Sequence, residues 1–402
     1  MRRAELGGLL TAMMESYPGV SDLLFCVGKP FQVEAYGDLK TVSTHPDIQQ
    51  LTPYQVEQIA LSIIGEDLRL LRELLVLGSC DCGYSLDEKI RFRVNIYKQR
   101  GFFGIVMRKP QPEIPTIDSL GLPPIFIDIA RQKNGLVLLT GATGSGKTTT
   151  LAAILNYINE TMPVHIVTLE DPIEFVHTHK MATFSQRELG QDFEDYPNGL
   201  RAALRQAPKV ILVGEMRDRQ TVEIALMAAE TGHLVLSTLH TIDAGQSINR
   251  ILGMFEREEE SQIRLRLAET VRYVVSQRLA PNRSGRRLLL SEIMGHNLRV
   301  RETIALGENE QRTFYEIIED SQTFGWTTFD HSIIQAYEAD LITEETATLY
   351  ASKKGKISRE IDDIKKARGI DTKGSSGLRL DVPQQPAAVQ PKPPSLFTKR
   401  KT

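Results

Sequence analysis

Eight consecutive residues, Gly141-Ala142-Thr143-Gly144-Ser145-Gly146-Lys147-Thr148, restrict this chain more than any others. They fit the pattern G-x-x-x-x-G-K-[ST], which average composition would produce in a chain of 402 residues roughly once in a hundred sequences. An apolar run at 136–140 comes before them, and a helical pattern through Leu151, Ile154 and Ile158 comes after, giving the order strand, loop, helix. Gly141, Gly144 and Gly146 let the backbone N–H groups of the loop, those of Ala142, Thr143 and Ser145 included, curl around a phosphate, and the helix N-terminus adds its positive end. Lys147 is placed to neutralise the outer phosphate oxygens, and the Thr148 hydroxyl to reach Mg²⁺, with Thr149 next in the nucleotide-binding set. A nucleoside triphosphate is the ligand this pattern expects.

From Gly135 onward apolar runs at 136–139, 165–169, 210–213 and 234–236 alternate with helical stretches at about 147–160, 198–206, 218–230 and 261–279. That rhythm predicts an α/β fold with a parallel sheet covered on both faces, whose ligands sit at the carboxyl ends of the strands. Two acids stand at such ends. Glu215 follows the run Val210-Ile211-Leu212-Val213-Gly214 and reads as the group that orients or deprotonates the attacking water; its rival role is a helix N-cap ahead of Met216-Arg217-Asp218. Glu170 opens Glu170-Asp171-Pro172-Ile173-Glu174 and reads as support for the metal, through water, or for the nucleophile. His233 and His240 bracket the run at 234–239 without nearby cysteines, a poor metal pattern, and read instead as sensors of the γ-phosphate or of a neighbouring subunit.

The first 108 residues read differently: strands near 23–27, 31–36, 91–97 and 102–108 with helices at 53–64 and 68–77, a small α+β unit. Residues 109–116 carry the prolines of a linker, 117–297 form the phosphate-binding unit, and 298–368 read as mostly helical. Past Gly369 the composition collapses into Gly, Ser, Pro, Gln and Lys, with no structure expected. The net charge of −3 averages two unlike parts: residues 369–402 hold six Lys/Arg against two Asp/Glu, so the preceding 368 residues carry −7. A moderately acidic body argues against a nucleic-acid coat, and the tail is the one basic segment. Three cysteines, at 26, 80 and 82, suit a reducing compartment, and Cys80-x-Cys82 lacks two further ligands for zinc. No apolar stretch approaches the ~18 to 20 residues of a membrane helix, and Glu5 interrupts the opening run that otherwise imitates a signal peptide.

In this order and spacing, the loop 141–148, the acidic element 168–175, the Gly-Glu strand 211–218 and the histidine-flanked strand 231–241 resemble the secretion ATPase superfamily, most closely its PilT-type pilus retraction ATPases. They correspond to that family's Walker A loop, Asp box, atypical Walker B and His box, and the resemblance runs over about residues 20–360 with Arg91-Phe92-Arg93-Val94-Asn95 and Ser185-Gln186-Arg187-Glu188 included. It implies a PAS-like N-terminal domain on a RecA-like core, a homohexameric ring with nucleotide between domains, and docking on the platform protein of a type IV pilus at the cytoplasmic face of the inner membrane. It also implies that Arg91, Arg93 and Arg108 contact nucleotide. Arg201, Arg205 and Arg217 are further candidates from the core, and a surface ion-pair role competes for each of these arginines.

Extension and type II secretion ATPases, the nearest rivals, typically carry a tetracysteine zinc insertion in the ATPase domain and a longer N-terminal region, and neither is expected here. Ala305 stands where the family's C-terminal A-I-R-x-x-I-R-x-G element usually has a second basic residue, and Gln206-Ala207-Pro208-Lys209 and Ala142 also depart from the usual residues. These departures keep open an accessory paralogue working with a primary retraction ATPase. From other classes, a DNA-translocating motor would need a basic pore or stacking platform, and a non-hydrolysing regulator would have no use for Glu215 beside Lys147.

Overall fold

The computed structural model describes residues 3–45, 48–86, 90–109 and 113–369. The linker prolines 110–112 and the tail from 370 on lie outside the described residues. Near the N-terminus, strands β1 (Val20–Cys26), β2 (Gln32–Ala35), β3 (Asp38–Thr41), β4 (Ser79–Ser85), β5 (Arg91–Gln99) and β6 (Phe102–Arg108) form one antiparallel sheet in the order β3-β2-β1-β6-β5-β4. Helices α1 (Arg3–Glu15), α2 (Pro53–Ile64) and α3 (Leu68–Val76) accompany it. Alternation sets the faces: Phe92, Val94 and Ile96 are buried with Leu6, Leu10 and Ile59, while Arg91, Arg93 and Asn95 take the other face. Pro53 starts α2 where no N–H is needed, and Thr52 and Gln55 cap it reciprocally.

The second sheet has seven strands: β7 (Gly135–Thr140), β8 (His165–Glu170), β9 (Thr183–Glu188), β10 (Val210–Val213), β11 (Leu234–Leu239), β12 (Val271–Pro281) and β13 (Arg287–Met294). Their order is β13-β12-β7-β11-β10-β8-β9, parallel except for β13. The helices of this region are α4 (Ile125–Ala130), α5 (Lys147–Thr161), α6 (Tyr196–Ala203), α7 (Arg219–Glu230), α8 (Ala244–Leu252) and α9 (Arg257–Thr270), and the apolar cluster is continuous through both sides of the sheet. A mixed α/β fold around a parallel sheet is therefore what the alternating runs produce.

One expectation fails here. The helix expected over 261–279 stops at Thr270, and the chain enters β12 without a loop. Val271, Val274 and Val275 continue the helical spacing of Ile263 and Leu267, but β-branched residues suit a strand buried on both faces, and β12 pairs with β7 and β13.

Beyond β13 the described chain is helical: α10 (Leu298–Leu306), α11 (Phe314–Glu319), a 3₁₀ turn at Gln322–Phe324, α12 (Phe329–Glu338), α13 (Glu344–Tyr350) and α14 (Lys354–Ala367). The last three make their own small core, Phe329, Ile333, Ile357 and Ile361 packing with Ala280 and Leu290. Ile293 on β13 exchanges backbone hydrogen bonds with Thr327 on the way into α12. No helix among the described residues is long and apolar enough to cross a membrane.

Candidate active site

The strand order brings the carboxyl ends of β7, β11, β10 and β8 side by side. Each carries one chemical element out of the sheet. At the end of β7 the loop turns on glycines that nothing larger would replace. Gly141 has φ +142°, and a Cβ there would lie 2.5 Å from the Gln277 carbonyl on β12; Gly146, the N-cap of α5, has φ +92°. Lys147 is buried, and its Nζ donates to the carbonyls of Gly141 at 2.7 Å and Ala142 at 3.0 Å. Among the described residues no carboxylate pairs with it in an ion pair, so its positive charge stays available to an anion, and burial lowers its pKa. Thr148 is exposed at the head of α5.

Glu170 is the last residue of β8 and is buried. Thr168 Oγ1 donates to its Oε1 at 2.7 Å and Gln186 Nε2 at 3.1 Å, yet burial outweighs both bonds and pushes the carboxyl up to about 7. Glu215 follows Gly214, where a side chain would meet the Tyr196 hydroxyl at 2.9 Å. The cap of α7 is Asp218, which accepts from Thr221 N at 2.9 Å, so Glu215 is left to the cavity. There it pairs with Arg217, and its Oε2 lies 3.3 Å from His240 Nε2. Burial, then the charges of Lys147 and Arg217, lower the pKa of His240.

Around a cavity of about 520 Å³ the structure gathers Thr143, Gly144, Gly146, Lys147, Thr148 and Thr149 from the loop and helix, with Glu170, Glu215, Arg217, His240 and, from the N-terminal sheet, Arg93. Gly141, Ala142 and Ser145 line the other side of the loop, beside Gln277 and Leu279. The cavity is of a size that suits a small ligand. Among the described residues no three His, Cys, Asp or Glu side chains converge as a metal cluster. The donor set still fits a nucleotide-borne divalent cation, which would take one hydroxyl from Thr148, the phosphate oxygens, and Glu170 through water.

Three of the expected contacts are not made by this chain's own cavity. His233 precedes β11, at the opposite end of the strand from His240, and its Nδ1 is 2.9 Å from the Ala228 carbonyl. Arg91 is spent on Glu188, 2.6 Å away, rather than on the cavity. Arg108 lies opposite Arg93 across β5 and β6 but turns to Asp22, at 2.8 Å. Of the core arginines, Arg201 bonds Asn198, and only Arg217 reaches the cavity. Four residues at or beside the site were given no role by the sequence: Gln186, His177, Tyr196 and Thr238. The runs 185–188 and 231–241 held two of them, Gln186 and Thr238, without a role for either. Cys80 and Cys82 point into the N-terminal core, where burial pushes their thiols up to about 11 and about 12.

This geometry has close relatives. The Type IV pilus retractation ATPase PilT of Pseudomonas aeruginosa is 37% identical over 329 residues, 82% of this chain and 93% of that protein. The type IV pilus ATPase PilU of the same organism is 35% identical over 348 residues, 86% and 88% of the two chains. The crystal structure of the pilus retraction motor PilT with bound ADP superposes with a TM-score of 0.78 at 36% identity, covering 88% of this chain and 98% of that one. The family described as Type II/IV secretion system protein matches residues 86–367, a span that holds the phosphate loop, both acids and every strand of the parallel sheet, and this chain belongs to that family.

Proposed function

We propose that this protein is a motor ATPase that powers retraction of a type IV pilus. One observation carries the enzymatic part: Lys147, with no ion-pair partner among the described residues, lies in one cavity with two carboxylates, Glu170 and Glu215, delivered by neighbouring strands. In this reading the loop amides, Lys147 and Arg93 hold the triphosphate, and Thr148 faces the bound Mg²⁺. Magnesium, when bound, supplies charge neutralisation on the phosphate oxygens. Glu215, held by Arg217 and His240, orients the water and takes its proton as oxygen bonds to the γ-phosphorus and ADP leaves. Glu170 would support the metal through water or order the nucleophile.

The division at about 108 to 117 is supported by the separate apolar clusters of the N-terminal sheet and of the parallel sheet, whereas the second cluster continues past 298 through Val300, Ile304 and Phe314. A homohexamer is supported by the likeness to PilT, and a neighbour's nucleotide is the reading left for Arg108 and His233, which this chain's own cavity does not include. A cytoplasmic place at the inner membrane, on the pilus platform, is the part of this reading that rests on the family resemblance, with the basic tail available to anionic lipid. Purified protein should hydrolyse ATP with Mg²⁺ and lose about 100-fold or more in turnover as Lys147→Ala. Indifference to that change sinks the enzymatic reading. Deleting the gene should leave surface pili in place while abolishing twitching; loss of pili would point to extension, and pili with twitching retained would point to an accessory role beside a second retraction ATPase.

A further inference from the structure

Strand β9 is the outermost parallel strand, and its residues Gln186 and Glu188 pair in register with Thr168 and Glu170 of β8, so all four side chains share one face. Gln186 uses its whole amide. Nε2 donates to Glu170 Oε1 at 3.1 Å and to the Phe175 carbonyl at 2.9 Å, while Oε1 accepts from His177 N at 2.7 Å. One side chain thus fastens the segment following Glu170 to the carboxylate itself. Glu188, also buried, accepts from Ile173 N at 3.0 Å with the same oxygen that meets Arg91 Nη2 at 2.6 Å, and its Oε1 accepts from Gln191 at 3.0 Å. Arg91 belongs to the N-terminal sheet, where it lies flat over Gly83, a position any side chain would obstruct. A second arginine of that unit, Arg69, lies over Gly190, whose φ is +80°.

We propose that Gln186 and Glu188 are positioning residues for hydrolysis, and that the Arg91–Glu188 pair transmits the placement of the N-terminal unit through Ile173 and Gln186 to Glu170. The proposal rests on the reading of Glu170 as a group the reaction needs. A unit that swings away takes Arg91 with it, leaves a buried carboxylate without its cation, and loosens the segment that Gln186 and Glu188 fix. Turnover then depends on domain placement although Arg91 touches no part of the cavity.

The test uses the full chain and steady-state ATP hydrolysis with Mg²⁺. Gln186→Leu, Glu188→Gln and Arg91→Met are expected to lower kcat roughly tenfold or more, with the KM for ATP within about threefold of wild type. Arg91→Lys should recover part of the loss. The double variant Arg91→Met/Glu188→Gln should be no slower than the worse single one, because both break the same link. Glu188→Gln keeps an acceptor for Ile173 and Arg91→Met leaves the loop's own bonds intact, so at least one variant of the pair folds, as melting temperatures will report. Losses in kcat that simply follow losses in melting temperature, or that appear in KM instead, overturn the proposal, as does an additive double variant. Glu170→Gln is measured beside them: unchanged turnover there refutes the reading of Glu170, whereas lost turnover with unaffected Gln186 and Glu188 variants refutes the relay alone.

Discussion

Burial decides the protonation of His177. Its ring stacks on Phe184 with centroids 4.5 Å apart, and burial first, then the charge of Lys180, pushes its pKa down from 6.5 to about 4. The unfolded chain takes up a proton near 6.5 and the folded one only near 4, so the stability is complete above 6.5 and is lost as pH falls through that interval. The loss amounts to about 3 kcal/mol. His177→Phe should flatten that part of the curve, and urea unfolding at pH 7, 5.5 and 4 checks it; parallel curves for the two proteins would show that this ring does not titrate on unfolding. The meeting of Lys147, Glu170 and Glu215 at one cavity was legible in the sequence because it is written in short strings with fixed spacing. His177 and Gln186 were not, since their roles come from a register between β8 and β9 that places Gln186 beside a carboxylate sixteen positions away, at Glu170.

Strand β12 shows how a neighbouring element can set the shape of a motif. Its Gln277 carbonyl presses on Gly141, and Gln277 Nε2 donates to Thr150 Oγ1 at 2.8 Å inside α5. The phosphate loop is therefore shaped from the side by a strand that helical spacing had disguised. Gly141→Ala combines a φ of +142° with a 2.5 Å approach to that carbonyl and should cost roughly 2 kcal/mol or more, with loss of nucleotide binding. Gly144→Ala meets no atom, and its φ of +76° alone should cost about 1 to 2 kcal/mol. Denaturant unfolding and binding of a fluorescent ATP analogue compare the two; equal costs would mean that β12 yields. Asp195, Asp218 and Asp243 each cap a helix by accepting from the N–H three residues on, the helix after Asp243 being unexpected, whereas the strand, loop, helix order was readable from local chemistry. The boundary between α9 and β12 was not, because no turn residue separates them and only pairing with β7 distinguishes strand from helix there.

Taken whole, the chain sets an acidic body against a basic end. Every residue of its three apolar clusters lies between Leu6 and Ile364, so a chain ending at Gly369 should keep its melting temperature and its ATP turnover. Full-length protein should co-sediment with phosphatidylserine vesicles at low salt and be released as salt rises, and the shortened one should not; equal sedimentation would remove the tail from any account of membrane contact. Both outer strands of the parallel sheet have part of their outward backbone occupied. On β13 the Ile293 amide and carbonyl are taken by Thr327 and the Ser291 amide by the Ser332 hydroxyl, and on β9 the Phe184 and Glu188 amides are taken by His179 and Asp192. Those residues interrupt any ladder that either border could form with a strand from another copy. Ring subunits meeting at these borders would rest there on side chains, and such contacts can slide and re-form at every turnover where a continuous ladder of amides would lock them.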